Sequence, residues 1–595
     1  MRPTKRLIAL GLTSVLLAAC GHKDKDAPLA FVPADTPYVL ANLDVLDDDT
    51  RNAMIAQLNT QLPAQVLQMK AAADQLTAKG NAEGARLINA LAAELDGKTI
   101  EQVAKNDGFD LKGRTAFFGL GLSPVARVEL ADPTAFEGLV GRIETAYGQK
   151  LETATVGGQS YRHVTPKDSG VQLILAVVGK QAVGTLLPAD AGEPLVRQAL
   201  GLDRPAKNIQ DDGRLDDLAK EKGYKPYAVG QVDMVRLLPL IAGGKDPLFT
   251  SLLKHKAVAE ATANGEPAPA AAPEVPASCQ TDAARIASRV PSMSFGYTRL
   301  DAKHQDQRFD IALADDVTKA FSGLKVELPG LGQNADAPFD VSIALPMEQL
   351  RTFWTAQADA VAAKPFTCPS LTDLNDGFAK VGSTMQQAAI PPFGDIRGLR
   401  IVLDSFKAAD PAAATQVPTF SGRIVIGTRN PAGLVALGQT VLGGVNLKLA
   451  NDGKPAALPQ NLTAMVGQPA WAAMSDIALA IGFGQGEDAR LGDALKASTG
   501  DAGRSARMHL TGDMYRTWID LMSEKAEAYA EATAASAAAA DGTDADPEKE
   551  GAAAAQRSKL QFQTMRAQAD RIVSVSAEAH VDDKGMVITG QSELK

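Results

Sequence analysis

Only three of the 595 residues are cysteine, aromatic residues make up 5%, and six histidines lie scattered at positions 22, 163, 255, 304, 509 and 580. Neither Cys279 nor Cys368 has a second cysteine or histidine at ligand spacing, which argues against a zinc framework of the usual kind. The chain contains no His-Glu-x-x-His pair, no Gly-x-Ser-x-Gly elbow and no phosphate loop ending in Gly-Lys-Ser/Thr. A formal charge of −10 with no basic stripe argues against a nucleic-acid partner, because phosphate neutralisation supplies most of that affinity. After the first twenty residues no run of 18 apolar residues occurs, so no spanning helix is expected in the body. The expectation is a chain without metal, cofactor or enzymatic activity.

Several fragments of chemistry are present and have plainer explanations. Ser251 and Lys254, and again Ser322 and Lys325, share the Ser-x-x-Lys spacing that activates serine in penicillin-binding enzymes, but the companion elements are missing. Gly482, Gly484 and Gly486 follow an apolar strand, yet the third glycine comes one residue too early for a dinucleotide loop, and a turn accounts for them. Asp44 and Asp47–Asp49 stand at a helix start, where carboxylates suit the dipole. Asp541, Asp544 and Asp546 lack the glycine placement of a calcium loop. Asp-Met-x-Arg occurs twice, at Asp233–Arg236 and Asp513–Arg516, and capping plus an Asp–Arg contact at a strand–helix junction explains it.

The amino terminus carries the strongest positive signal. Arg2, Lys5 and Arg6 precede the apolar run Leu7–Leu17, which is too short to span a bilayer, and Leu17-Ala18-Ala19-Cys20 closes it. This end resembles the lipobox signal peptide of bacterial lipoproteins. The resemblance implies cleavage between Ala19 and Cys20, acylation of Cys20, and a membrane partner reached through that lipid. Gly21 stands where an aspartate would favour inner-membrane retention, so the same resemblance implies the periplasmic face of the outer membrane. Cleavage removes 19 residues and three basic charges, which takes the formal charge from −10 to −13. Residues 20–30 read as a lipidated tether.

An oxidising periplasm would let the two remaining cysteines, Cys279 and Cys368, form one disulfide; two separate buried thiols are the alternative. The body reads as one module written twice. Pro37-Tyr38 and Pro338-Phe339 each open a strand leading into an amphipathic helix. Asp132-Pro133 and Asn430-Pro431 each end a strand with a cap and a first-position proline. Asp233-Met-x-Arg matches Asp513-Met-x-Arg, and Asp301 matches Asp582 within late hairpins. These landmarks keep their order at offsets of 301, 298, 280 and 281 residues. Module one is expected over 31–316, with an Ala- and Pro-rich insert at 257–278, and module two over 317–595, with an Ala-rich insert at 531–556. Residues 51–105 carry helical spacing and are expected to form one or two long helices. Hairpins mixed with helices predict an α+β fold, with antiparallel sheets covered by amphipathic helices.

Phe31 to Tyr38 (FVPADTPY) resembles the opening of uncharacterised secreted bacterial proteins built from such modules, a likeness that implies no activity. The favoured expectation is a lipid-anchored, non-enzymatic binding or assembly module with an envelope protein partner. The alternatives are a carrier of lipid or another hydrophobic ligand, and a cryptic hydrolase assembled from His163, His304 or His509 with a serine and a carboxylate.

Overall fold

A computed structural model describes residues 24–595, except 79, 167–168, 333–336, 389, 408–418, 442–446, 461–462, 465–466, 524–557, 560 and 564. Ala19, Cys20 and the insert at 531–556 lie outside the described residues.

Alternating apolar residues between turn-forming ones generate nineteen strands among the described residues, joined in a single sheet. In the first half these are β1 (Tyr38–Ala41), β2 (Thr115–Leu120), β3 (Ser123–Glu129), β4 (Glu152–Val156), β5 (Gln159–Val164), β6 (Val171–Val178), β7 (Gln181–Pro188), β8 (Val229–Asp233), β9 (Ser292–Leu300) and β10 (His304–Ala312). The second half supplies β11 (Phe339–Ala344), β12 (Ile396–Lys407), β13 (Thr419–Thr428), β14 (Ala456–Ala457), β15 (Ala470–Met474), β16 (Ala478–Phe483), β17 (Arg504–Thr511), β18 (Ile572–Val581) and β19 (Gly585–Leu594). Every pairing is antiparallel. Across the first half the order is β4-β5-β6-β7-β3-β2-β1-β8-β9-β10. From β10 the sheet continues as β19-β18-β17-β11-β12-β13-β16-β15-β14. The fold is α+β with a large antiparallel sheet.

Local chemistry sets the element boundaries. Asp132 Oδ1 accepts the amides of Thr134 and Ala135 and starts the helix Pro133–Tyr147. Asn430 Oδ1 accepts the Gly433 amide at 2.9 Å at the matching junction. In both late hairpins an aspartate closes the turn. Asp301 Oδ1 accepts the amides of Lys303 and His304, and Asp582 Oδ1 those of Lys584 and Gly585. Residues 51–105 divide into three helices, Asp48–Ala78, Ala82–Leu95 and Ile100–Asp107, rather than one or two. Gly80 and Gly97 take positive φ between them, and Asn81 and the Thr99/Gln102 capping box restart the chain. The helix Pro247–Ala263 runs into the Pro- and Ala-rich insert, and the helix Ala277–Ala287 begins at its end.

One face of the sheet is tightly covered. Val39, Phe118, Val125, Ile174, Val183 and Leu187 pack against Val196, Leu200, Ile209 and Leu215 in the first half. In the second, Val425, Ala478 and Ala480 pack against Leu491, Ala494 and Leu495 of the helix Asp488–Lys496. The segment expected to be a tether joins this layer. From Asp24 onward it lies on the body, and Pro28–Phe31 forms a buried helical turn. Leu29 and Val32 belong to the first core.

A strand pairing and a disulfide join the halves. β10 and β19 share nine residue pairs, from His304↔Glu593 to Ala312↔Gly585. Cys279 and Cys368 are bonded, with sulfurs 1.99 Å apart, across 89 residues of sequence. Asp310 sits beside the join, gripped by both ends of the Arg308 fork at 2.8 Å and by the Tyr224 hydroxyl at 2.7 Å. Burial works to raise the Asp310 carboxyl, but the Arg308 and Tyr224 hydrogen bonds outweigh it and hold the group below its ordinary value.

Two outcomes follow. Non-reducing peptide mapping should recover a Cys279–Cys368 cross-link, and Cys368→Ser should lower stability by about 2–4 kcal/mol in urea unfolding. Because the Asp310 carboxyl is depressed in the folded state, its stabilisation is present above the ordinary carboxylate range. It is lost as pH falls through the folded value. Asp310→Asn should therefore lower the neutral-pH urea midpoint and make the midpoint less sensitive to acid.

Candidate functional site

The second face of the sheet is not covered in the same way. In an antiparallel ladder, directly paired residues project to the same side. One such row crosses sixteen strands. It runs Leu175, Gly184, Ala126, Phe117, Leu40, Gly230, Phe295 and Phe309 through the first half. It continues with Ile588, Ala579, Ala506, Ile343, Leu399, Ile426, Leu479 and Met474. Every member is apolar or glycine.

A parallel row two residues along the strands adds Val232, Met293, Ile311 and Met586 in the middle of the sheet. Met508, Val341, Ile401, Ile424 and Ile481 extend the same face through the second half. Gly230 has a packing role here, since a Cβ at that position would meet the Phe295 ring at 2.1 Å.

In the middle of the sheet, exposure separates the two faces. Phe117, Leu40, Phe309 and Ile343 are 45%, 37%, 41% and 43% exposed, whereas their strand neighbours Phe118, Val39 and Asp310 are 1%, 4% and 8% exposed. Helices seal this face toward the ends of the row, where Leu175 and Ala182 pack under Phe136, Leu139 and Val140 of the helix Pro133–Tyr147 and where Leu479 and Met474 are buried, and leave it more open between. The helix Met234–Ala242 (MVRLLPLIA) buries none of its residues, nor does the helix Met347–Ala363. Trp518 meets Phe339 edge-on at 4.7 Å between ring centres and shields one part of the face.

Near the middle of the sheet the covered face changes character. Arg400, Ser342, Arg507, Glu578 and Thr589 form one cross-strand row. Asp340, His509, Ser576, Gln591 and Asp306 form the next. Asp340 is fully buried, held by Arg400 Nε and Nη2 at 3.1 and 2.7 Å and by Arg507 Nη2 at 2.9 Å. Arg507 also donates to the Gly330 carbonyl, at 3.1 Å through Nε and 2.9 Å through Nη2. Beside this cluster, a cavity of about 360 Å³ is lined by Arg507, His509, Ser576, Glu578, Thr589 and Gln591.

That cavity brings one histidine expected from the sequence to a serine, with His509 Nδ1 and Ser576 Oγ 3.0 Å apart. The surroundings differ from an acyl-transfer site. Glu578 pairs with Arg504 at 2.9 Å, and Asp340, the cross-strand neighbour of His509, is taken by two guanidinium groups. The amides of β17 and β18 are spent in the ladder, so they do not converge on an oxyanion. The arrangement suits holding a polar group.

The other candidates separate. His163 faces Glu152 at 3.7 Å, His304 closes its turn with Asp301, and His255 contacts the Ser251 carbonyl. Ser251 is buried and donates to the Gly170 carbonyl at 2.6 Å. Ser322 ends the helix Asp315–Phe321, so Lys325 is not on a shared helical face. Gly484 and Gly486 form a positive-φ turn between β16 and the helix Asp488–Lys496. Asp47 accepts the Thr50 amide at 2.9 Å, and that bond with the Tyr227 and Thr50 hydroxyls pulls its carboxyl down to about 2. Asp233 caps Arg236 and pairs with its side chain, and Asp513 contacts Arg516 likewise. Asp541, Asp544 and Asp546 lie outside the described residues. Among the described residues no group of three or more acidic, histidine or cysteine side chains could hold a metal ion, and no helix is long and apolar enough to cross a membrane.

The sequence reading missed Asp340, Arg400 and Arg507. The signal was present: Asp340 and Ser342 occupy the alternating positions of FDVSIA opposite its apolar ones. Removing Asp340 leaves two buried guanidinium groups unpaired. Asp340→Ala should therefore cost about 3–5 kcal/mol in denaturant unfolding, far more than an exposed Asp→Ala change. Comparison with protein-family models, curated proteins and solved structures finds no match to this chain.

Proposed function

We propose that this protein is a lipid-anchored envelope component that acts as a non-enzymatic binding module, its open apolar sheet face docking a partner protein. The exposed middle of the apolar row, at Leu40, Phe117, Phe309 and Ile343, carries the reading. Interface centres are depleted of charge and rich in aromatic and aliphatic side chains, as this row is around Phe117, Phe295 and Phe309. The anchor comes from the lipobox at Leu17–Cys20, and with it the assignment to the periplasmic face of the outer membrane. A protein surface is favoured over a carried lipid because the exposed middle of this face is a sheet surface and not an enclosed cavity. By contrast, a cavity of about 830 Å³ in the first half is lined by charged groups such as Arg114, Glu129, Lys180 and Arg204.

We further read the body as a duplicated module, over 31–316 and 317–595. Support comes from strand order: β6-β7-β3-β2-β1-β8-β9-β10 and β15-β16-β13-β12-β11-β17-β18-β19 follow one pattern. The paired landmarks at Asp132/Asn430, Asp233/Asp513 and Asp301/Asp582 point the same way.

A photo-crosslinking residue placed at Phe117 or Ile343 in intact cells should capture a discrete protein, and one at the exposed Lys454 should not. Phe117→Asp with Ile343→Asp should abolish capture by a crosslinker at Phe309 while leaving the circular dichroism spectrum unchanged. Recovery of bound lipid with the purified wild type, together with no protein adduct, would transfer the face to the carrier reading. Neither adduct nor lipid would remove the binding role. The anchor is tested separately: acyl mass on the amino-terminal peptide should be present in the wild type and lost in Cys20→Ser.

A further inference from the structure

The segment that follows the lipidation site is docked rather than loose. Asp24 Oδ2 accepts Arg114 Nη2 at 2.6 Å, and the Asp24 carbonyl accepts Gln210 Nε2 at 3.1 Å. Arg204 Nη2 holds the Asp26 carboxylate at 2.7 Å, while Gln181 Nε2 holds the Asp26 carbonyl at 2.6 Å. Phe31 then locks the segment. Its ring lies 3.7 Å from the Arg127 guanidinium carbon and 4.4 Å from that of Arg204. Arg127 is 1% exposed, and burial, with Arg204 nearby, pulls its guanidinium down to about 9. A cation so placed gains from an aromatic face, and Phe31 supplies it.

Reach decides what this means. Three residues lie between Cys20 and Asp24, and a fully extended chain spans at most ~14 Å over those four residue steps. A compact body of this size has a radius of gyration of ~25 Å. The leash is shorter than the body, so the body cannot turn its other faces to the bilayer.

We infer that the face around Asp24 is the membrane-facing surface of this protein, held against the phospholipid headgroups of the bilayer that carries its acyl chains. The inference rests on the lipoprotein reading of Cys20. The exposed side chains around the segment mix Lys25, Lys180, Arg204 and Lys207 with Asp24, Asp26, Asp110 and Asp203, so the short reach, and not net charge, sets this face against the headgroups. Lys180, in the β6–β7 turn, lies on this face. Asp476, in the β15–β16 turn, stands thirteen strand steps from β7 along the sheet. The open apolar face is thereby carried at a fixed attitude to the membrane.

The test uses the mature acylated protein in vesicles of phosphatidylethanolamine and phosphatidylglycerol containing a headgroup-nitroxide lipid. The bridged pair leaves an introduced thiol as the reactive one, so a fluorophore can be placed at Lys180→Cys or Asp476→Cys. Quenching should be at least threefold stronger at 180 than at 476. Inserting eight glycine and serine residues between Gly21 and Asp24, which leaves the body untouched, should reduce that ratio at least twofold. Phe31→Ala combined with Arg204→Ala should do the same by releasing the segment. Equal quenching at both positions in the acylated wild type would overturn the membrane-facing assignment, and so would a ratio insensitive to the inserted residues. Failure of the anchor itself reads out differently, as a wild-type amino-terminal peptide without acyl mass.

Discussion

Everything in this molecule hangs on the edge-to-edge pairing of β10 with β19. Each half ends its sheet in a hairpin whose last strand would otherwise offer a row of unpaired amides and carbonyls, a template for aggregation. Nine antiparallel residue pairs consume both edges and make one sheet of two. The pairing also fixes the facing of side chains. Phe309 opposes Ile588 on one side, and Arg308 opposes Thr589 on the other. A slip of one residue would exchange those faces, bringing apolar side chains to the polar rows and charged ones to the apolar rows.

Given that join, the two faces take different roles. The covered face spends its apolar residues on helices and, near the centre, on the buried Asp340–Arg400–Arg507 cluster. That cluster is a poor source of net stability, because desolvation of three charges offsets most of their attraction. Its effect is to pin β11, β12 and β17 in register around the Gly330 carbonyl. The other face keeps a row of apolar and glycine residues that its helices cover at the ends and leave partly exposed in the middle, at Phe117, Leu40, Phe309 and Ile343. The Cys279–Cys368 bond adds a covalent tie between a helix of the first half and the chain entering the second. Both parts of the band thus belong to one sheet.

Legibility in the sequence followed the range of the interaction. Caps, turns and hairpins depend on neighbours within a few residues, so Asp132, Asn430, Asp301 and Asp582 could be read directly. The Asp-Met-x-Arg contacts were legible for the same reason. The division of residues 51–105 into three helices was not, because helical spacing continues across Gly80 and Gly97 and masks the breaks. The docked segment was misread as a tether because its anchors, Arg114, Gln181 and Arg204, lie far along the chain.

By itself the sequence determined the α+β alternation, the paired landmarks and which residues carry apolar side chains, since each is a matter of local pattern. It also left two cysteines with a chance to meet. Tertiary structure alone decided that the halves share one sheet, that sixteen strands align their apolar positions in one row, and that His509 stands beside Ser576. The physical reason is that alternation states only that every second residue faces one way. Which way, and against what, is set by strand pairing between residues hundreds of positions apart.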